Sequence, residues 1–250
     1  MTAHRSSKSQ KLWFEATGKG EPLVLLHPGG ADSRAFGPLV ERLVGSYRLI
    51  TPDQRGHGRT PDAPGPISYE IMADETISFL EEQFGEPVHL LGYSDGAVVA
   101  LFVALKRPDL VKDLVVVSGV YHRDGWAAGV LDAEVPEFMI DSYGGVSPDG
   151  RDHFTVVAEK LAQMHSTQPA LTERELADVL CPALVLIGDD EVLLEHAVSL
   201  YRALPQGELA VIPHASQGVL VEKPELCSSM ITAFHVSDKP ATYAPIRRAN

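Results

Sequence analysis

Six strand-like runs recur along the chain: Leu23-Val24-Leu25-Leu26, Tyr47 to Thr51, Val88 to Gly92, Leu114-Val115-Val116-Val117, Ala183-Leu184-Val185-Leu186-Ile187 and Leu209-Ala210-Val211-Ile212, four of them uninterrupted and the second and third broken only by polar residues such as Arg48 and His89. Continuous rather than alternating apolarity marks strands covered on both faces. A further strand is expected over about residues 11–16, before the turn Gly18-Lys19-Gly20. Between the runs the period changes to that of a helix. One helix is expected over about 34–44. A second spans Tyr69 to Phe84, with Ile71, Met72, Ile77, Phe79, Leu80 and Phe84 on one face and Gly85 and Pro87 as its stop. A third carries Val98, Leu101, Phe102 and Leu105 and is closed by Pro108. Strands that alternate with helices predict an α/β protein with a mostly parallel sheet flanked by helices.

The alternation fails between about 120 and 180, where helical pieces surround Gly144-Gly145 and Ser147-Pro148-Asp149-Gly150 without a strand. We read this segment as a small helical lid whose Trp126, Phe138, Met139, Tyr143 and Met164 can line an apolar pocket. No linker divides the chain, so 1–250 reads as one domain. Its core covers about 11–119 and 181–236, its lid about 120–180, and polar tails fill 1–10 and 237–250.

Chemistry enters at Gly92-Tyr93-Ser94-Asp95-Gly96, which joins a strand to a helix through a serine. In a G-x-S-x-G turn the serine is held at a sharp bend, and the glycines are needed because strand and helix pack too closely for a Cβ. Two other strand ends carry glycine-bearing loops. His27-Pro28-Gly29-Gly30 lets backbone amides approach a ligand, and Asp53-Gln54-Arg55-Gly56-His57-Gly58-Arg59-Thr60 is dense in charge. Asp53 and Arg55 are expected to tie that loop together, His27 and His57 to serve their turns, and His89, inside a strand, to be a satisfied core group.

A net charge of −13 argues against a nucleic-acid or anionic-membrane partner, and the apolar lid residues make a small molecule of apolar character the expected one. The charge says nothing of the oligomeric state. Cys181 and Cys227 lack any C-x-x-C spacing and read as buried thiols, so no metal is called for. The N-terminus lacks the apolar stretch of a signal peptide and no run is long enough to span a bilayer, so a cytoplasmic location is expected.

Together the 27–30 loop, the 53–58 loop and the Ser94 elbow resemble the α/β-hydrolase superfamily over about residues 12–235. The resemblance implies an eight-stranded, mostly parallel sheet, a lid after the sixth strand, no cofactor, and a triad of serine, acid and histidine in that chain order. Ser94 would be the nucleophile, with the amides of Gly29 and Asp95 as oxyanion donors, since Pro28 has no N–H. Gly188-Asp189-Asp190-Glu191 is similar to the family's acid loop, with Asp190 or Glu191 as the acid. Ile212 to Val219 resembles the histidine loop, with two departures: Gln217 stands where the family commonly has histidine, and His214 where it has glycine.

An amide cannot take the serine proton. The leading reading is therefore a serine hydrolase (esterase or lactonase) acting on a small ester or lactone with His214 as a relocated base. The alternative is a hydrolase fold without a working triad, used for ligand binding or non-hydrolytic biosynthetic chemistry. His122, His153 and His165 of the lid rank below His214, because no motif brings them to Ser94.

Overall fold

The computed structural model describes residues 10–131, 135–190, 192–236 and 242–244. Seven strands form one sheet: β1 (Phe14–Gly18), β2 (Glu21–Leu26), β3 (Tyr47–Pro52), β4 (Val88–Tyr93), β5 (Val111–Val117), β6 (Ala183–Gly188) and β7 (Gly207–Ile212). Their order is β1-β3-β2-β4-β5-β6-β7. Only β1 is antiparallel to its neighbour. Helices α1 (Gly37–Leu43), α2 (Tyr69–Gln83), α3 (Asp95–Lys106), α4 (Glu137–Gly144), α5 (Phe154–His165), α6 (Glu173–Leu176), α7 (Leu194–Ala203), α8 (Val219–Glu222) and α9 (Pro224–His235) complete the order.

The parallel runs are continuous because successive residues feed two different cores. Val24, Leu26, Ile50 and Leu90 pack with residues of α2 and α3, while Leu23, Leu25, Leu49 and Leu91 pack with residues of α1 and α9. All eight side chains are fully buried. Each contributes about 1.5–3 kcal/mol on the usual area scale, so a polar residue at any of these eight positions would be costly.

The eight strands implied by resemblance are seven among the described residues, and the lid follows the fifth strand, not the sixth. The apolar runs, with the expected first strand, already counted seven. β1 begins later than expected, at Phe14, and the helix expected from 34 starts as a 3-10 turn at Ser33 before α1. The lid carries α4, α5 and α6, and antiparallel bridges His122–Ala170 and Trp126–Val192 anchor it.

Cys227 is buried and Cys181 half-buried, and burial pushes each thiol up to about 11. Among the described residues no helix is long and apolar enough to cross a membrane.

Candidate active site

Because β2 to β7 run parallel, the loops that follow them gather at one edge of the sheet, the usual place for a site in an α/β protein. Ser94 sits between β4 and α3 at φ 54°, ψ −117°. A non-glycine residue held there stores about 1–3 kcal/mol of strain, which its neighbours must sustain. They do so by contact. A Cβ on Gly92 would lie 2.1 Å from the Gly96 carbonyl oxygen, and one on Gly96 would lie 2.0 Å from that of Leu26. The Ser94 N–H donates to Val117 O at 2.8 Å, tying the bend to β5.

The amides of Gly29 and Asp95 find no acceptor among the described residues, and both residues line the cavity that contains Ser94. The turn that frees Gly29 is set by two histidines. His57 Nε2 accepts the Gly30 N–H at 3.1 Å while its Nδ1 donates to Arg55 O at 2.8 Å. Burial drives His57 down to about 4, so it stays a neutral acceptor. His27 Nε2 accepts the Gln54 N–H at 2.9 Å. Asp53 accepts the backbone N–H groups of Ser33 and Arg59, and Arg55 pairs with Glu75 at 2.5 Å, so both brace the loop.

Gln217, not a histidine, meets the serine: its Nε2 donates to Ser94 Oγ at 2.8 Å. Its backbone is fixed by the Tyr93 hydroxyl, which donates to Gln217 O at 2.7 Å. His214 is exposed and lines an outer cleft with Asp189, Asp190, Ser216, Glu222 and Lys223. The expectation that His214 replaces the missing base does not match this geometry. The reason is its backbone: His214 has φ 54°, a turn conformation that suits the glycine expected there, and the turn returns the chain to Ser94 at residue 217.

The acid loop is also arranged differently from expectation. Asp189 accepts the N–H groups of His214 and Ala215, at 2.9 and 3.0 Å, and so holds the turn. Those bonds lower its carboxyl below the usual range. Asp190 lines the outer cleft and is not part of the Ser94 cavity wall; Glu191 lies outside the described residues.

The largest departure from expectation is Asp95, for which the sequence suggested only an amide role. Its buried carboxylate accepts the Tyr69 hydroxyl at 2.7 Å, and His165 Nε2, from the end of α5, lies 3.0 Å from both of its oxygens. Burial would raise the Asp95 pKa, but the His165 charge together with the hydrogen bonds from His165 and Tyr69 outweighs it, so the carboxyl lies below its ordinary range; the same pairing raises His165 against its own burial. Burial, with Asp95 beside it, keeps the Tyr69 phenol protonated well above its ordinary range.

A signal for His165 existed in the sequence. Phe154, Val157, Leu161 and Met164 are the buried stripe of α5, and His165 stands four residues after Leu161 on that side. The other lid histidines go elsewhere, His153 to Asp62 and His122 to Asp124. The cavity holds about 340 Å³, and its wall is mainly apolar, including Trp126, Val130, Val135, Met139, Phe154 and Leu161. Of the aromatic and sulfur residues expected to line it, Trp126 and Met139 do. Phe138 and Tyr143 wall an adjoining pocket, and Met164 is in the core.

A model of the alpha/beta hydrolase family matches residues 23–229. The chain belongs to that family. It is 27% identical to an (E)-2-((N-methylformamido)methylene)succinate hydrolase of Acinetobacter baylyi, over 93% of this chain and 97% of that one. It is 24% identical to a putative carbamate hydrolase of Agrobacterium fabrum, over 89% and 97%. A thermophilic esterase from Thermogutta terrifontis superposes with a TM-score of 0.68 at 26% identity, covering 88% of this chain and 91% of that one. Family and neighbours alike support a hydrolase.

At the other end of β4, His89, Asp113 and His235 are the cluster of described residues whose ligand atoms lie close enough, within 4.8 Å, to hold a metal. It is closed on itself. Asp113 Oδ2 is hydrogen-bonded to His89 Nδ1 at 2.7 Å, Oδ1 lies 3.2 Å from His235 Nε2 as an ion-pair contact, and the two rings lie 4.3 Å apart. His89 Nε2 also meets Glu21 at 2.9 Å, so His89 is a satisfied group within the fold.

Proposed function

We propose that this alpha/beta hydrolase cleaves a small ester or lactone of apolar character, with Ser94 as nucleophile and no base from the β7 loop. The observation that carries the reading is the strained elbow at φ 54° set beside two uncommitted amides, Gly29 and Asp95, in a single cavity. A strained serine beside open N–H donors suits a tetrahedral oxyanion, and nothing in the packing of a plain binding pocket requires it. The cavity volume fits a small substrate and its apolar wall favours an acyl chain or ring.

A second reading has one observation in its favour. Gln217 occupies Ser94 Oγ, and whichever end of the amide faces the hydroxyl, it takes no proton. On that reading the site binds a ligand or reshapes one without an acyl-enzyme. A fluorophosphonate probe followed by intact-mass analysis separates the two. Labelling of the wild type, lost in Ser94→Ala, supports the nucleophile. A wild type that stays unlabelled while Gln217→His labels assigns the site to the second reading.

A further inference from the structure

We propose that His165, held in the Ser94 cavity by Asp95 and Tyr69, is the proton-transfer residue of this site, in place of the histidine that the β7 loop lacks. The inference rests on Ser94 being the nucleophile.

Three observations converge on it. First, an acyl transfer needs a group that can take and return a proton. Of the described residues that line the Ser94 cavity, Asp95 and His165 are the only acid or base side chains. Asp95 is committed, accepting the Tyr69 hydroxyl at 2.7 Å and facing His165 Nε2 at 3.0 Å with each oxygen.

Second, that pairing fixes the tautomer. A carboxylate only accepts, so the neutral imidazole keeps its proton on Nε2 and presents a lone pair at Nδ1. Nδ1 has no partner among the described residues. This is the arrangement by which a triad acid orients its histidine, built here from the residue after the nucleophile and the end of a lid helix.

Third, Tyr69 has the place of an outer support. It is fully buried, its hydroxyl holds the Asp95 carboxylate, and its ring centre lies 6.5 Å from that of His165.

The step balances as follows. Ser94 Oγ forms a bond to the acyl carbon while its proton passes, directly or along one water, to His165 Nδ1. Collapse of the tetrahedral adduct breaks the carbon–oxygen bond, and the alkoxide leaves with that proton. A water then adds to the acyl carbon and gives its proton to His165. The second collapse frees the carboxylic acid and returns the proton to Ser94. Gln217 steadies Oγ throughout but never changes charge.

Asp95, from α3, and Tyr69, from α2, are the titratable groups that face His165, and Asp95 is in turn influenced by His57. The rate of Ser94 labelling by a fluorophosphonate should therefore rise with pH through one ionisation above the ordinary histidine value of about 6.5. His165→Gln should label at least about 100-fold more slowly and lack that limb, as expected for loss of a general base. Added imidazole should restore His165→Ala by tenfold or more, a rescue that a merely structural role would not give.

Asp95→Asn, which removes the charge that keeps the imidazole protonated, should move the limb to lower pH. It keeps the test open if the His165 variants melt early. The inference is overturned if wild type labels and His165→Gln labels within threefold of it with the same limb, or if Asp95→Asn leaves the limb in place. Either result leaves Ser94 standing. A wild type that does not label at any pH overturns both this inference and the assignment of Ser94 as nucleophile.

Discussion

Gly29→Ala puts the Asp95 anchor under direct load. Gly29 is not in the left-handed region, so the backbone itself admits an alanine. The new methyl is the difficulty: it would stand 2.0 Å from Asp95 Oδ2 and 2.9 Å from Cγ, and all of its nearest contacts are to that side chain. The carboxylate must rotate, and it cannot do so while it accepts Tyr69 at 2.7 Å and faces His165 at 3.0 Å. Breaking a buried charged group from its partners costs about 3–5 kcal/mol. In a chain of this size each kcal/mol moves the melting temperature by about 2–4 °C, so the variant should melt about 6–20 °C below wild type by calorimetry. Gly37→Ala, where a Cβ meets nothing within 4 Å, is the control and should change little. A double-mutant cycle isolates the cause. In an Asp95→Ala background, where no carboxylate is left to displace, Gly29→Ala should cost less than about 1 kcal/mol. A Gly29→Ala protein within about 2 °C of wild type, or an equal cost in both backgrounds, would refute the argument.

Two further predictions concern the surroundings of the site. His214→Gly should raise thermal stability by up to about 1 kcal/mol, because it relieves a side chain at φ 54°, and should leave Ser94 labelling unchanged; a loss of labelling would return His214 to the chemistry. At the far end of β4, burial opposes the charge on both His89 and Asp113, but their mutual bond and those to Glu21 and His235 prevail, raising His89 and lowering Asp113 to about 2. His89 therefore adds stability that is complete below about 6.5 and fades as pH rises through its raised value, while Asp113 adds stability that is lost only as pH falls from about 4 toward 2. Melting temperature followed from pH 5 to 9 should decline in wild type, and Asp113→Asn should be several degrees less stable at pH 5 and decline less steeply, His165 still contributing its own share; parallel curves would show that the cluster does not titrate with folding.

What the sequence disclosed follows from which interactions are local. The central parallel strands were legible because they feed two cores and are largely apolar, and the elbow because only glycine fits at 92 and 96, where strand and helix pack closely. The bracing roles of Asp53, Arg55 and His89 were also legible, since a charged loop or a strand histidine needs partners wherever they come from. His165 was not. It meets Asp95 across 70 residues, from a lid with no motif, and the only local clue was its place on the buried side of α5. The Asp95 carboxylate was missed for the related reason that its motif explains only its amide.

The fate of His214 turns on four residues. A loop that brought its imidazole to Ser94 would have to release both N–H bonds to Asp189, the Ser216 N–H held by Glu222 at 2.7 Å, and the Tyr93 hydroxyl on Gln217 O. All four fix backbone, so a side-chain rotation cannot substitute for them, and each would need a new partner on the rebuilt path. Meanwhile Gln217 would leave Ser94 Oγ without its 2.8 Å donor. The loop is thus committed as a unit to presenting residue 217, and the positive φ at 214 is part of that commitment. A histidine at 217 would inherit the position without further rebuilding. With glutamine there, a base for Ser94 has to arrive from another element, and among the described residues of the cavity wall α5 supplies it, at the residue where the helix ends on the Asp95 carboxylate.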